Sequence, residues 1–185
     1  MMEPILRGRE LSKNLSKHGE HTYGEIRNST NADIVVGKYC SIAANVQAVI
    51  LADHQTEWIT TYPFRKTWNL MTADNPVRRQ NRHIVIGNDV WIGSNSILLE
   101  ETNIADGAVI GSYSVVHGYI PPYTIAVGNP CRPVKKRFSD KEVDQMLKIQ
   151  WWNWPDGKVK EFAPLLCSPN IKEFLDAVNA TGISD

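Results

Sequence analysis

The chain of 185 residues carries no surplus charge: Lys and Arg number 20, and so do Asp and Glu. A nucleic-acid partner, which needs a basic face, gains no support from that balance. No apolar run is long enough to span a bilayer, and no N-terminal apolar stretch reads as a signal peptide. Cysteine is scarce. Cys40, Cys131 and Cys167 are an odd count with no CxxC pair. This speaks against a disulfide framework and fits a cytoplasmic location, with the thiols acting as small apolar groups. The length suffices for one domain with a real core and a small appendage.

What the chain has is a period of six. Stepping from Ile86 gives Ile92, Leu98, Ile104, Ile110 and Val116, all aliphatic. Two places before each stand Ile84, Val90, Ser96, Thr102, Ala108 and Ser114, mostly small. An earlier block keeps the rule with Val36, Ile42 and Ala48, preceded by Ile34, Cys40 and Val46. Six fits neither an α-helix nor an alternating strand. It fits a coil with flat sides and sharp corners, in which one residue per side fills the interior. Cys40 falls on an inward position and reads as core.

The two blocks are out of phase, so residues 52–83 are an excursion from the coil. The hexads then give way to "GYIPPYTIAVGNPCRPVKKRF", whose prolines at 121, 122, 130 and 133 remove backbone donors and oppose further strand addition. Ser139 with Glu142 reads as a capping box. Val143, Met146 and Leu147 follow on one helical face. Further amphipathic pieces carry Val159, Phe162 and Leu166, then Ile171, Phe174, Leu175 and Val178. The expected division is an N-terminal segment over 1–33, read as a degenerate first coil; a β-helix over 34–133 with the inserted loop 52–83; and a helical tail over 134–185 that covers the end of the coil. The cluster "WWNWP" reads as glue between tail and coil.

The loop carries "ADHQTEWITTYPF". A neutral imidazole takes a proton from a hydroxyl or ammonium group near neutral pH, so His54 is the candidate general base. Asp53 and Glu57 flank it, and either carboxylate would fix its tautomer. Trp58, Tyr62, Phe64 and Trp68 are aromatic anchors for the loop. A loop histidine with no chemical role is the competing reading of these residues alone.

The motifs "ADHQTEWITTYPF", "IVIGNDVWIGSNSILL", "AVGNPCRPVKKRF" and "LKIQWWNWP" occur here in the order found in the xenobiotic acetyltransferases. The chain therefore resembles that subfamily of the hexapeptide-repeat acyltransferases, which includes chloramphenicol, streptogramin and polysaccharide-locus sugar acetyltransferases. The resemblance covers roughly residues 34–166. It implies an all-β solenoid, a left-handed parallel β-helix with an extruded loop and a C-terminal α-helical tail. It implies acetyl-CoA as co-substrate, no metal, direct transfer without an acyl-enzyme, and a homotrimer with the donor between adjacent coils. His54 takes the place of the family's base, with Glu57 beside it. Trp91 takes the place of a ring lining the thioester pocket. Gly93 and Ser94 would offer backbone N–H groups to the thioester oxygen, and Arg132, Lys135 and Lys136 would meet the CoA phosphates.

Three features depart from the pattern. Gln55 stands where many members have Arg, Cys131 stands where Ala is common, and the stretch before His54 is short. The shorter lip favours a sugar or glycan precursor as the acceptor of the acetyl group, by O- or N-transfer, with an antibiotic as the alternative. A non-catalytic β-helical scaffold and a β-helical carbonic anhydrase are the remaining readings. The histidines at 18, 21, 54, 83 and 117 lack the spacing of the latter's zinc site.

Overall fold

The structure is a computed structural model and describes residues 17–28, 32–50, 54, 57–68 and 83–181. Among the described residues, fourteen short strands alternate with tight corners. They are β1 (Lys17–His18), β2 (Ile26–Asn28), β3 (Asp33–Val36), β4 (Ser41–Ile42), β5 (Val46–Val49), β6 (His83–Ile86) and β7 (Trp91–Ile92). Then come β8 (Ile97–Leu99), β9 (Asn103–Ile104), β10 (Val109–Ile110), β11 (Val115–Val116), β12 (Tyr119–Ile120), β13 (Thr124–Val127) and β14 (Arg132–Lys136). From β2 to β13 every third strand joins the same sheet; β1 adds to β3, and β14 to β13. The first sheet runs β1-β3-β6-β9-β12, the second β4-β7-β10-β13-β14, and the third β2-β5-β8-β11. All pairings are parallel except β13 with β14. Three sheets built by one winding chain make a parallel β-helix.

Register shows why a six-residue rule specifies this shape. Val36 lies beside Ile86, Ile42 beside Ile92, and Ala48 beside Leu98. Both blocks therefore sit in one phase, with the excursion inserted between complete coils. The hexad aliphatics are fully enclosed, and so are the small residues two places before them. Where those are Ser or Thr, the hydroxyl is satisfied at once: Ser96 donates to the Gly93 carbonyl at 2.8 Å and Thr102 to that of Val116 at 2.9 Å. Cys40 is buried as read, and burial pushes its thiol up to about 11.

The coil is longer than the strict period indicates. At its start, β1, a bridge from Tyr23 to Ser41, and β2 supply three sides before Ile34. At its end, Ile120 stacks on Ile104 and Ala126 on Ile110. One side has lost two residues, which hides this last coil from a six-residue count. The prolines do not stop strand addition as expected: β13 and β14 follow Pro121 and Pro122, and Pro133 sits in β14, an edge strand whose register with β13 shifts beside it.

Three helices follow: α2 (Asp140–Ile149), α3 (Asp156–Leu166) and α4 (Ile171–Ala180); α1 (Phe64–Thr67) is a single turn in the excursion. The Ser139–Glu142 capping box is formed at the start of α2. The helices pack along one edge of the coil. Tyr39, Asp89, Gly107 and Tyr123 turn successive corners in the left-handed backbone region, as does His21 in the first coil. Against this ridge Tyr39 meets Trp151 at 4.8 Å, His21 bonds Asp156 at 3.0 Å, and Arg137 bonds the Gly107 carbonyl at 2.7 Å. These contacts lie on the flank of the coil, where the sequence reading put the tail over its end. Trp151 and Trp152 are buried in the seam, consistent with a structural role for "WWNWP". Among the described residues no helix is long and apolar enough to cross a membrane.

Candidate active site

Strand alternation turns every second side chain of the second sheet outward. Register aligns Tyr23, Ser41, Trp91, Val109, Ile125 and Lys135 in one outward row across six chain segments. Trp91 is 54% exposed, as expected of a residue preceding an inward Ile. With strands about 4.8 Å apart, Lys135 stands roughly 14 Å along the row from Trp91. Beside this row the next positions are Gly93, Gly111, Val127 and Arg132. The two glycines in register let successive coils stack closely at this corner beside the indole. Neither tolerates a side chain: a Cβ on Gly93 would come within 2.5 Å of the Ser112 nitrogen, and one on Gly111 within 2.7 Å of Val127.

The donor role read for Gly93 needs correction. Its N–H is committed to the ladder, donating to the Ile110 carbonyl at 2.8 Å. Gly93 is needed where the backbone of the next coil comes too close for a Cβ. Ser94, which opens the turn that follows, has its N–H outside that ladder and keeps the candidate role.

The three basic candidates share β14, whose side chains are exposed. Lys135 belongs to the Trp91 row. Lys136 is paired with Asp140 one turn on, and Arg132 donates to the Cys131 carbonyl at 3.0 Å. The sheet thus brings Trp91, Gly93 and Lys135 onto one face. It leaves Lys136 engaged with the start of α2.

His54 is exposed, and its Nδ1 lies 2.7 Å from the carbonyl oxygen of Thr61. A carbonyl only accepts, so Nδ1 carries the proton and Nε2 carries the lone pair. The tautomer is thus set by a main-chain group, at the place where the sequence suggested the carboxylate of Asp53 or Glu57. Glu57 is exposed in the turn that follows, and Asp53 lies outside the described residues. Thr61 was not foreseen, because a backbone carbonyl leaves no mark in residue type. Next to it, Tyr62 packs on Phe64 at 4.6 Å and Phe64 on Trp68 at 4.5 Å, with all three rings exposed. Trp58 is also exposed, and Ile59 is fully so. His54 therefore sits beside a substantial apolar surface.

Comparison with known proteins agrees with this architecture. Residues 83–118 match the family model described as bacterial transferase hexapeptide (six repeats). The chain is 36% identical to a chloramphenicol acetyltransferase of Morganella morganii over 165 residues, covering 83% of this chain and 78% of that one. It is 37% identical to a probable macrolide acetyltransferase of Lysinibacillus sphaericus over 139 residues, covering 73% and 77%. Among solved structures, a hexapeptide-repeat containing acetyltransferase from Vibrio cholerae, VCA0836, superposes with a TM-score of 0.50 at 27% identity, covering 66% of this chain and 63% of that one. A coil wound on a six-residue rule and this degree of identity over most of both chains lead to one assignment: the chain belongs to the hexapeptide-repeat acetyltransferases, in the xenobiotic acetyltransferase subfamily, and is an acyltransferase.

Proposed function

We propose that the protein is an acetyl-CoA-dependent O-acetyltransferase of hydroxylated xenobiotics, chloramphenicol or a macrolide among them, with His54 as general base. The observation that carries this is the Nδ1–Thr61 bond, which leaves Nε2 as the proton acceptor in an exposed loop. The sugar acceptor favoured by the short lip before His54 has less support, because the most similar relatives named above act on antibiotics by their names. The exposed rings beside His54 also suit an apolar acceptor.

The steps follow from these groups. Nε2 takes the proton of the acceptor hydroxyl as its oxygen attacks the thioester carbonyl. The Ser94 N–H meets the developing oxyanion. Collapse expels the CoA thiolate, which recovers the proton from the imidazolium. Transfer is direct. Burial raises the thiols of Cys40 and Cys131 above their ordinary value, which makes them poor candidates for carrying an acyl group. Acetyl-CoA lies along the second sheet, its reactive end at Trp91 and its phosphates toward Lys135, with Arg132 and Lys136 at the same edge. A flat sheet face makes a poor pocket. The working unit is therefore a homotrimer, in which the aromatic loop of one subunit closes over the sheet of the next. The three unpaired cysteines suit the cytoplasm.

Two measurements bear on this reading. Incubated with acetyl-CoA and the purified protein, chloramphenicol should gain the mass of one acetyl group, labile to mild base as an ester is. Unchanged chloramphenicol and macrolide, under conditions where another acceptor is acetylated, would overturn it. Lys135→Ala should raise KM for acetyl-CoA several-fold at low salt with kcat little changed, since a phosphate contact binds substrate and transition state alike. The difference should shrink as salt is added.

A further inference from the structure

The outward row of the second sheet sets two exposed rings on either side of one small residue. Tyr23 is bridged to Ser41, and Ser41 stands in register with Trp91. Tyr23 is 66% exposed and Trp91 54%. Neither makes a ring contact with another aromatic side chain among the described residues. Two strand spacings separate their backbones by about 9.6 Å, and side chains on a strand stand roughly perpendicular to the sheet. Between them Ser41 rises no further than a hydroxymethyl group. The row therefore forms a slot with an aromatic residue at each side and a small polar floor. The proposed path of acetyl-CoA runs the other way along the row, from Trp91 past Val109 and Ile125 to Lys135. It leaves the Ser41 side of the indole to the acceptor.

Width selects a flat guest. A ring midway in the slot lies about 4.8 Å from each wall, inside the range of about 4.5–7 Å at which aromatic pairs attract. Polarity selects its kind. From Tyr23 to Ile125 the row holds no charged side chain, and Ser41 is the only polar group on the floor. A pyranose would bring hydroxyls around its whole rim to that one partner, whereas an aryl ring needs one at most.

We propose that Tyr23, Ser41 and Trp91 form the acceptor subsite, which takes a neutral aryl ring between the two aromatic residues and so selects alcohols whose hydroxyl lies on a short chain attached to that ring. Trp91 then divides the site, with the donor on its Val109 side and the aryl group on its Ser41 side. This subsite rests on the acetyl-transfer proposal and narrows its acceptor: chloramphenicol carries such a ring, and erythromycin, a macrolide, does not.

Chloramphenicol is tested against the dichloroacetamide of serinol, which keeps the amide and a primary hydroxyl but lacks the aryl ring. With wild-type protein, KM should be at least about tenfold lower for chloramphenicol. Tyr23→Ala should raise KM for chloramphenicol about fivefold, with kcat little changed and no comparable rise for the ringless alcohol or for acetyl-CoA. It should melt close to wild type, because the ring it removes is exposed. Tyr23→Phe keeps the stack and should restore the wild-type KM. Ser41→Phe fills the slot and should exclude chloramphenicol while the ringless alcohol still reacts. A wild-type KM for chloramphenicol in Tyr23→Ala would overturn the subsite and leave acetyl transfer standing. So would an equal rise for both alcohols, or a KM for maltose that depends on Tyr23 when that for chloramphenicol does not. If the wild-type protein acetylates no alcohol, the acetyl-transfer proposal fails by itself, and calorimetry with chloramphenicol decides the slot. Weaker binding to Tyr23→Ala than to wild type would uphold it, and equal or absent binding would overturn it.

Discussion

Replacing His54 by alanine should lower acetyl transfer by about 10²–10⁴-fold, the usual contribution of a positioned general base. The melting temperature should stay close to that of the parent, because the side chain is exposed and lies outside the buried core. The loss should fall on kcat, since a general base acts on the proton in transit and contributes little to holding CoA. His54→Gln keeps polarity without basicity and should be as inactive. Wild-type turnover by either variant at saturating acetyl-CoA would remove His54 from the mechanism.

The second large effect concerns the scaffold. Ile92→Asp should prevent folding. Ile92 is 0% exposed and stacked between Ile42 and Ile110 in the second sheet. The carboxylate would be enclosed among aliphatics with no donor in reach, a cost of several kcal/mol or more, comparable with the whole stability of a small domain. Aspartate at Trp91, one residue earlier but outward, should instead leave a folded protein with impaired acetyl-CoA binding. The contrast between neighbouring positions tests the phase of the repeat. Soluble Ile92→Asp with an unchanged melting curve would mean that the phase is wrong.

The fold was legible in the sequence because its rule is local. A six-residue period needs only consecutive residues to declare itself, and Ile86 through Val116 declare it fully. Legibility failed where geometry departs from the count. The last coil drops two residues at one corner, so Ile120 and Ala126 fall off the six-step although they stand in the stack. The first coil has Tyr23 in a single bridge instead of an aliphatic hexad. The placement of the helices depends on pairings distant in sequence, such as His21 with Asp156 and Tyr39 with Trp151, which no local pattern announces.

In the candidate site, residue types point to His54, Trp91 and Lys135, because the roles proposed for them rest on side-chain chemistry. Main-chain roles were invisible. The Thr61 carbonyl that sets the imidazole tautomer could belong to any residue. Residue type offers the Gly93 N–H as a donor, and the register of β7 on β10 commits it to Ile110. Glycine at 93 serves the close stacking of successive coils, as does glycine at 111, and its N–H is not free for a ligand.

The proposed reaction moves an acetyl group from CoA to the hydroxyl of an apolar xenobiotic. The most direct measurement is the ratio of kcat/KM for chloramphenicol and a macrolide to that for maltose, a galactoside and an amino sugar. All would be assayed with one enzyme preparation by release of the CoA thiol. The account predicts a ratio well above one for at least one antibiotic, abolished in His54→Ala. A ratio below one for both antibiotics, with brisk acetylation of a sugar, would contradict it.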